Sequence, residues 1–439
     1  MRTTLAVPAF LISVAALSQG PVQLSLQQAM DQAAAQSYSV QYSDLEAAKA
    51  EARIKEILGV GLPQVAASGG LNNYLKVPTQ VIPNFFGNEP PTIEIQLGIP
   101  WMMNGGVQLQ QLLFDGSYLV GLQATRALKD QAHLNLEKAR HDARNQAAKA
   151  YYAVLAAEEG ARLVGQGIPL LEKSAHDAQA MLDQGFLETT DVDRLTIQLA
   201  DARNSQHNLE QQVQVARAFL GLVLGLPAGT PVALTDSLGA LLADPAEQAL
   251  AGQPYPEGRH IEEKQAQSQL ALANLEVRHQ QAAYLPTLGG FINYQQQFNS
   301  MKFDPHEGPW FPSSMWGLSL NVPIFSSGMR LQRVKQARIT AKEAEVNRQA
   351  VDHQLRAGYL QQQAIATAAD DSYRTAKANM ELAGNIFRRT SAKFTEGMAS
   401  SFELTQEHAN FLAAQQHYVQ SVVNLMQARA DMRKALDMY

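Results

Sequence analysis

Residues 314–328 read SMWGLSLNVPIFSSG. In an extended chain Trp316, Leu318, Leu320, Val322 and Ile324 share one face, with Gly317, Ser319, Asn321 and Pro323 on the other. The alternation ends at Phe325, and past Gly328 one long helix is predicted over 329–395. An earlier stretch follows the same plan. Leu113-Phe114-Asp115-Gly116 leads into a helix predicted over 117–184, rich in Ala, Gln, Glu and Lys. At 1.5 Å per residue such a helix reaches about 100 Å.

The resemblance of these two stretches extends outward in both directions, so the chain is a duplication. Leu62-Pro63 and the SGGLNNY that follows return as Leu285-Pro286 and LGGFINY. Leu182-Asp183-Gln184-Gly185 returns as Phe394-Thr395-Glu396-Gly397. Phe114 lies 71 residues before Gly185, and Phe325 lies 72 before Gly397. Spacing held that closely over long segments marks one rigid element used twice. Pro63 to Phe114 is 51 residues against 39 from Pro286 to Phe325, and the extra 12 belong in a loop. Each half, 19–225 and 259–439, is expected to run helix, two strands, long helix, returning helix. Between them 226–258, rich in Pro, Gly and turn residues, reads as a connecting segment with one short helix.

Four strands are expected. The stretch 287–298 sets Leu288, Ile292, Tyr294 and Phe298 against Gly289, Asn293, Gln295 and Gln297. In the first half Ile93, Ile95, Leu97 and Ile99 alternate with Glu94, Gln96 and Gly98, and Val107 and Leu109 continue the odd-numbered face. The stretch 64–75 is the weakest of the four. Alternating segments of about 10 residues mark an outer-membrane barrel with its apolar face to lipid. A soluble sheet with one buried face alternates in the same way. The long loops 76–92 and 300–313 lie at one strand end only, with Trp310, Phe311 and Trp316 nearby. They suit an extracellular side and an interfacial aromatic girdle. Spanning barrels begin at about eight strands, and an open edge in lipid leaves backbone groups unpaired. The chain must then oligomerise, and the physics leaves dimer and trimer open.

The returning helices, 190–225 and 402–437, carry heptad seams. The first runs Leu195, Leu199, Ala202, Gln206, Leu209, Val213, Ala216, Leu220 and Val223; the second, looser, holds Leu404, Phe411, Tyr418, Val422, Leu425, Met432 and Leu436. Pro169, inside the first long helix, predicts a bend and not an end.

The chain starts with Arg2, an apolar run from Leu5 to Leu17, and Ala16-Leu17-Ser18 before Gln19, which predicts a secretory signal over 1–18. No cysteine occurs, which removes every thiol-based metal, redox or nucleophile reading. A net charge of −6 without a basic patch gives no footing for nucleic acid. The ten histidines form no close pair or HExxH motif, and no nucleophile elbow or phosphate loop is present, so no catalytic residue, metal or cofactor is expected. The methionines are dispersed and give no support to a copper route.

Taken together, these features describe a duplicated mixed α and β membrane protein with four transmembrane strands per chain and long coiled-coil helices. The Leu-Pro strand starts, the strand-to-helix Phe motifs and the turns Gln184-Gly185-Phe186 and Glu396-Gly397-Met398 carry a family likeness. Each turn glycine is followed six residues on by Asp191-Val192 or Glu403-Leu404. In their order and spacing the chain resembles the TolC-like outer-membrane efflux proteins. That resemblance implies three chains sharing a 12-stranded barrel in outer-membrane lipid above a periplasmic α-barrel. It implies a homotrimer that meets a periplasmic adaptor and an inner-membrane pump and passes exported molecules without being an enzyme. Gly185 and Gly397 then mark the tip turns, with Phe186 and Met398 as adaptor contacts. The valine usual before each tip glycine is Gln184 and Glu396 here. The family's acidic constriction falls on Glu403 and Gln406, one acid kept and one lost, and Ala399 stands where some members place a restraining arginine. A cation preference weaker than that of a doubly acidic ring follows. Asp191 joins this constriction set, with helix capping as its first role. The competing reading is a periplasmic coiled-coil structural or adaptor protein, which should carry compact soluble β modules instead of these strands.

Overall fold

The computed structural model describes residues 22–87 and 89–439, and the expected signal segment 1–18 lies outside them. The first half runs β1 (Val22–Leu24), α1 (Leu26–Gln36), α2 (Tyr38–Val60), β2 (Gln64–Asn73), β3 (Thr79–Pro83), β4 (Thr92–Gln96), β5 (Trp101–Phe114), α3 (Gly116–Asp183) and α4 (Thr189–Val223). The connecting segment holds β6 (Val232–Leu234), α5 (Leu238–Ala243), α6 (Pro245–Gln248) and a turn of 3-10 helix at Leu250–Gly252. The second half is α7 (Ile261–Ala282), β7 (Thr287–Ser300), β8 (Trp310–Asn321), α8 (Met329–Thr395) and α9 (Ser401–Ala435). α3 passes through Pro169 as one element. Two units emerge: a helical one with the described residues through Leu45, Asn135–Glu262 and Asp352–Tyr439, and a sheet unit with Glu46–Leu134 and Glu263–Val351.

The sheet unit orders its strands β2-β5-β7-β8, all antiparallel neighbours. The expected strand over 93–99 is corrected. Residues 92–96 pair with 79–83 in a separate hairpin, and the main strand begins at Trp101. Gly98, at φ +153°, and Pro100 separate the two. Alternation alone does not name a strand's partner, and here Ile93 and Ile95 serve the local hairpin. The weakest expected strand, β2, pairs with β5 along its whole length. Register places Val65, Leu71, Val107, Leu109, Ile292, Tyr294, Trp316, Leu318 and Leu320 on one face. The other carries Ser68, Asn72, Asn104, Gln108, Asn293, Gln295, Gln297 and Ser319. Trp310 starts β8 beside the 301–309 loop, its Nε1 donating to the Pro305 carbonyl at 2.9 Å, whereas Trp316 sits mid-strand opposite Ile292. Phe298 is fully buried under that loop, and only a glycine fits at 308, where a Cβ would stand 2.3 Å from the Phe298 ring.

In the helical unit the connecting segment is more structured than expected. β6 pairs in parallel with β1, Val22 opposite Val232. Asp236 accepts from the Leu26 amide at 2.7 Å and lies 3.0 Å from the Tyr151 hydroxyl, which also donates to the Leu24 carbonyl at 3.0 Å. Burial raises the Tyr151 phenol far above its ordinary pKa, so it stays a donor. Glu247, at 5 % exposure, pairs with Arg433 of α9. These contacts set the segment into the core with α1, α3 and α9.

Every position of the α4 seam is buried or half-buried. In α9 the apparent looseness is corrected: His408, Gln415 and Arg429 fill the gaps, so alternate steps of 4 and 3 run unbroken from Leu404 to Leu436. All three are polar and at most 4 % exposed.

Candidate functional site at the helical turns

Both turns between paired helices close in the same way. The Phe186 amide donates to the Met181 carbonyl at 2.8 Å and the Gly185 amide to Leu182 at 2.9 Å. In the second, Met398 donates to Lys393 at 2.8 Å and Gly397 to Phe394 at 2.9 Å. Gly185 at φ +81° and Gly397 at φ +72° occupy the left-handed position that such a C-terminal motif requires. Gln184, Gly185, Phe186, Glu396, Gly397 and Met398 are all exposed. For two apolar side chains this is notable: Phe186 is 76 % exposed and Met398 66 %. Phe402, at 63 %, adds a third exposed apolar group that sequence spacing did not mark.

The acidic positions divide by environment. Asp191 is half-buried at the third position of α4. One oxygen accepts the Glu188 amide at 3.4 Å, and the other accepts the Ser401 hydroxyl at the start of α9. Arg194 lies 3.9 Å from the same carboxylate. Asp191 therefore both caps its helix and ties one hairpin to the other. Glu403 and Gln406 stay exposed, three residues apart on one face of α9. The Glu403 amide donates to Ser400 Oγ at 3.1 Å, and Gln406 Nε2 donates to Asn410 at 3.2 Å. The structure brings Glu403 and Gln406 side by side and gives Asp191 a separate set of partners.

More polar ties join the hairpins. Gln198 Nε2 donates to the Thr405 carbonyl at 3.0 Å, Ser174 and Ser391 meet at 3.3 Å, and Thr395 donates to Asp177 at 3.4 Å. Small polar residues on alanine-rich helices carry no spacing signal, so none of these was legible. Under the turns Leu171, Leu195, Phe387, Phe394 and Leu404 form a core drawn from all four helices. His408, 1 % exposed, lies against Phe387 with ring centroids 5.0 Å apart, and its Nδ1 has no hydrogen-bond partner. Burial pushes its pKa down to about 4, so the ring is neutral at pH 7. Among the described residues no group of His, Asp and Glu could hold a metal ion, and no helix is long and apolar enough to cross a membrane.

The family model for outer membrane efflux proteins matches residues 29–226 and 262–437, one block for each half. The chain belongs to the outer membrane efflux protein family, the TolC-like group its motifs resemble. Solved structures share the fold. CusC, 16 % identical, superposes with a TM-score of 0.70 over 96 % of this chain and 95 % of that one. VceC from Vibrio cholerae, 13 % identical, gives 0.67 over 94 % and 95 %. CmeC from Campylobacter jejuni, 14 % identical, gives 0.67 over 99 % and 94 %. No curated protein matches in sequence.

Proposed function

We propose that three copies of this chain form an outer-membrane exit channel. An inner-membrane pump loads it through a periplasmic adaptor, in tripartite efflux or type I secretion. The observation that carries this reading is the four-stranded sheet: β2 and β8 each have one outer edge with no neighbour among the described residues, in strands exposed on both faces. In lipid those edges must pair, and copies of the same sheet supply the partner. Twelve strands from three copies follow from the family likeness. Phe186 and Met398, presented on matching turns, suit an adaptor's apolar contact, and Glu403 with Gln406 lines the constriction, where Glu403 favours cations.

A single cysteine at Phe186 or Met398 in this cysteine-free chain tests the reading directly. Crosslinking in cells should capture a periplasmic adaptor or its pump, and the pump's class would name the cargo. Capture of neither, with the protein outside the outer membrane, would return the chain to the coiled-coil scaffold reading.

A further inference from the structure

The strands β2, β5, β7 and β8 contain no Asp, Glu, Lys, Arg or His. On a lipid-facing surface that is a requirement, because a charge there is costly. On the opposite face it is not, since a water-filled lumen accepts charged side chains freely. The neutrality of the polar face is therefore a property of this chain, and it matters if that face lines the pore.

Which face is concave can be read from its glycines. On the polar face a Cβ at Gly70 would stand 2.8 Å from Oδ1 of Asn104, and one at Gly317 would stand 2.7 Å from the Phe291 ring. At Gly106 it would stand 2.8 Å from the Tyr294 carbonyl and 3.0 Å from Cβ of Gln295. On the apolar face a Cβ at Gly69 meets its nearest atom at 3.6 Å, one at Gly290 at 3.4 Å, and one at Gly105 nothing within 4 Å. Gly289, the fourth glycine of the polar face, is open, with the Gln111 carbonyl at 3.7 Å. Side chains converge on the inside of a curved sheet and splay on the outside, so crowding at the other three marks the polar face as the inner one.

Resting on the exit-channel reading, we infer that the barrel part of the pore is an uncharged passage in which amides and hydroxyls alternate with a few apolar groups such as Phe291 and Met315, and that the channel's charge preference is set outside the strands. Asn104, Gln108, Asn293 and Gln295 can each donate and accept, so they hydrogen-bond polar cargo without regard to its net charge. A ring of fixed charge in the same place would focus a field and sort ions by sign. The barrel strands therefore fit polar molecules of either charge, and sorting by sign falls to parts of the channel outside them.

The test uses the purified oligomer in planar bilayers under a salt gradient, with Gln108→Cys and, on the opposite face of the same strand, Leu109→Cys. Charged thiosulfonate reagents applied to open channels change the wall without asking a charged variant to fold. At Gln108→Cys a cationic adduct should lower the cation-to-anion permeability ratio and an anionic adduct should raise it. Each change should be about two-fold or more, because no native charge competes there. A neutral adduct should leave the ratio alone, and Leu109→Cys should not respond. Asn293→Cys, opposite Gln108 in register, repeats the test independently. Channels that conduct but ignore charge at both polar positions, or respond at Leu109→Cys instead, would overturn the lumen assignment while leaving the channel standing. A protein that forms no conducting channel would overturn both.

Discussion

α4 and α9 are both 35 residues long and start from turns with matching hydrogen bonds, yet they bury different surfaces. They share one stripe, with Leu199, Gln206, Val213 and Leu220 in α4 matching Phe411, Tyr418, Leu425 and Met432 in α9. α4 completes its seam with Leu195, Ala202, Leu209 and Ala216. α9 turns one residue further, about 100° around the helix, and buries His408, Gln415, Val422 and Arg429. It also buries Ser421 and Ala428, the counterparts of the α4 seam, so its covered face is broader. The reason lies in its neighbours. Gln415 donates to the Leu163 carbonyl of α3 at 3.2 Å, and Arg429 approaches the Leu241 and Leu242 carbonyls of α5 at 3.4 Å. A duplicated hairpin has thus been specialised while its returning helix keeps its length and its turn keeps its hydrogen bonds. One copy keeps an almost wholly apolar seam, and the other carries polar groups that fix its place against specific carbonyls.

The sharpest way to break that comparison is in the core beneath the turns. Phe394→Ala removes a side chain only 1 % exposed and should cost about 3–5 kcal/mol. Leu182→Ala, at the matching but half-buried position, should cost about 1–2 kcal/mol. Thermal melts followed by helical circular dichroism would rank them, and equal losses would mean that the two hairpins share one packing.

A smaller effect is expected from His408. Its folded pKa of about 4 lies below the unfolded value of about 6.5, so the unfolded chain takes up the proton first. Stability from keeping it neutral is fully present above pH 6.5 or so and falls as pH drops toward 4, by up to about 3 kcal/mol. His408→Phe should flatten that part of the pH dependence, seen in melts at pH 7 and pH 5. An unchanged slope would show that His408 is not the titrating group.

The turns should behave alike where the hairpins differ. Gly185→Ala and Gly397→Ala each meet open space, so the left-handed φ alone sets a cost of about 1–2 kcal/mol. A difference between them larger than about 1 kcal/mol would show that the turns are not equivalent after all. Last, Asp191→Asn loses a charge-assisted tie to Ser401 and should cost about 1 kcal/mol. Glu403→Gln should change stability by less than about 0.5 kcal/mol while lowering the cation preference of the channel in bilayers.

The long helices were legible almost to the residue, because a glycine stands at or beside each boundary and the alanine-rich run between has no competing period. The turn residues were legible for the same reason. What escaped was set by tertiary partners. Ile93 and Ile95 alternate as a spanning strand would, but Pro100 and Gly98 divert them into a hairpin. β6 is three residues long, too short to show a period, and exists because β1 lies beside it. His408, Gln415 and Arg429 are polar at seam positions, so a pattern built on hydrophobicity passed over them. The Asp191–Ser401 tie joins side chains whose nearness no spacing encodes.

β1 and β6 also bear on how the chain is made. The Leu26 amide and its Asp236 partner are 210 residues apart, and the helical unit is assembled from three separate stretches with the sheet unit interleaved between them. A polypeptide made from its N-terminus presents Val22–Leu24 long before Val232–Leu234 emerges. The Arg433–Glu247 pair must wait until nearly the last residue. Contacts of such long range close slowly. Until both ends are present, the Val22–Leu24 strand has no partner and the α9 seam is bare.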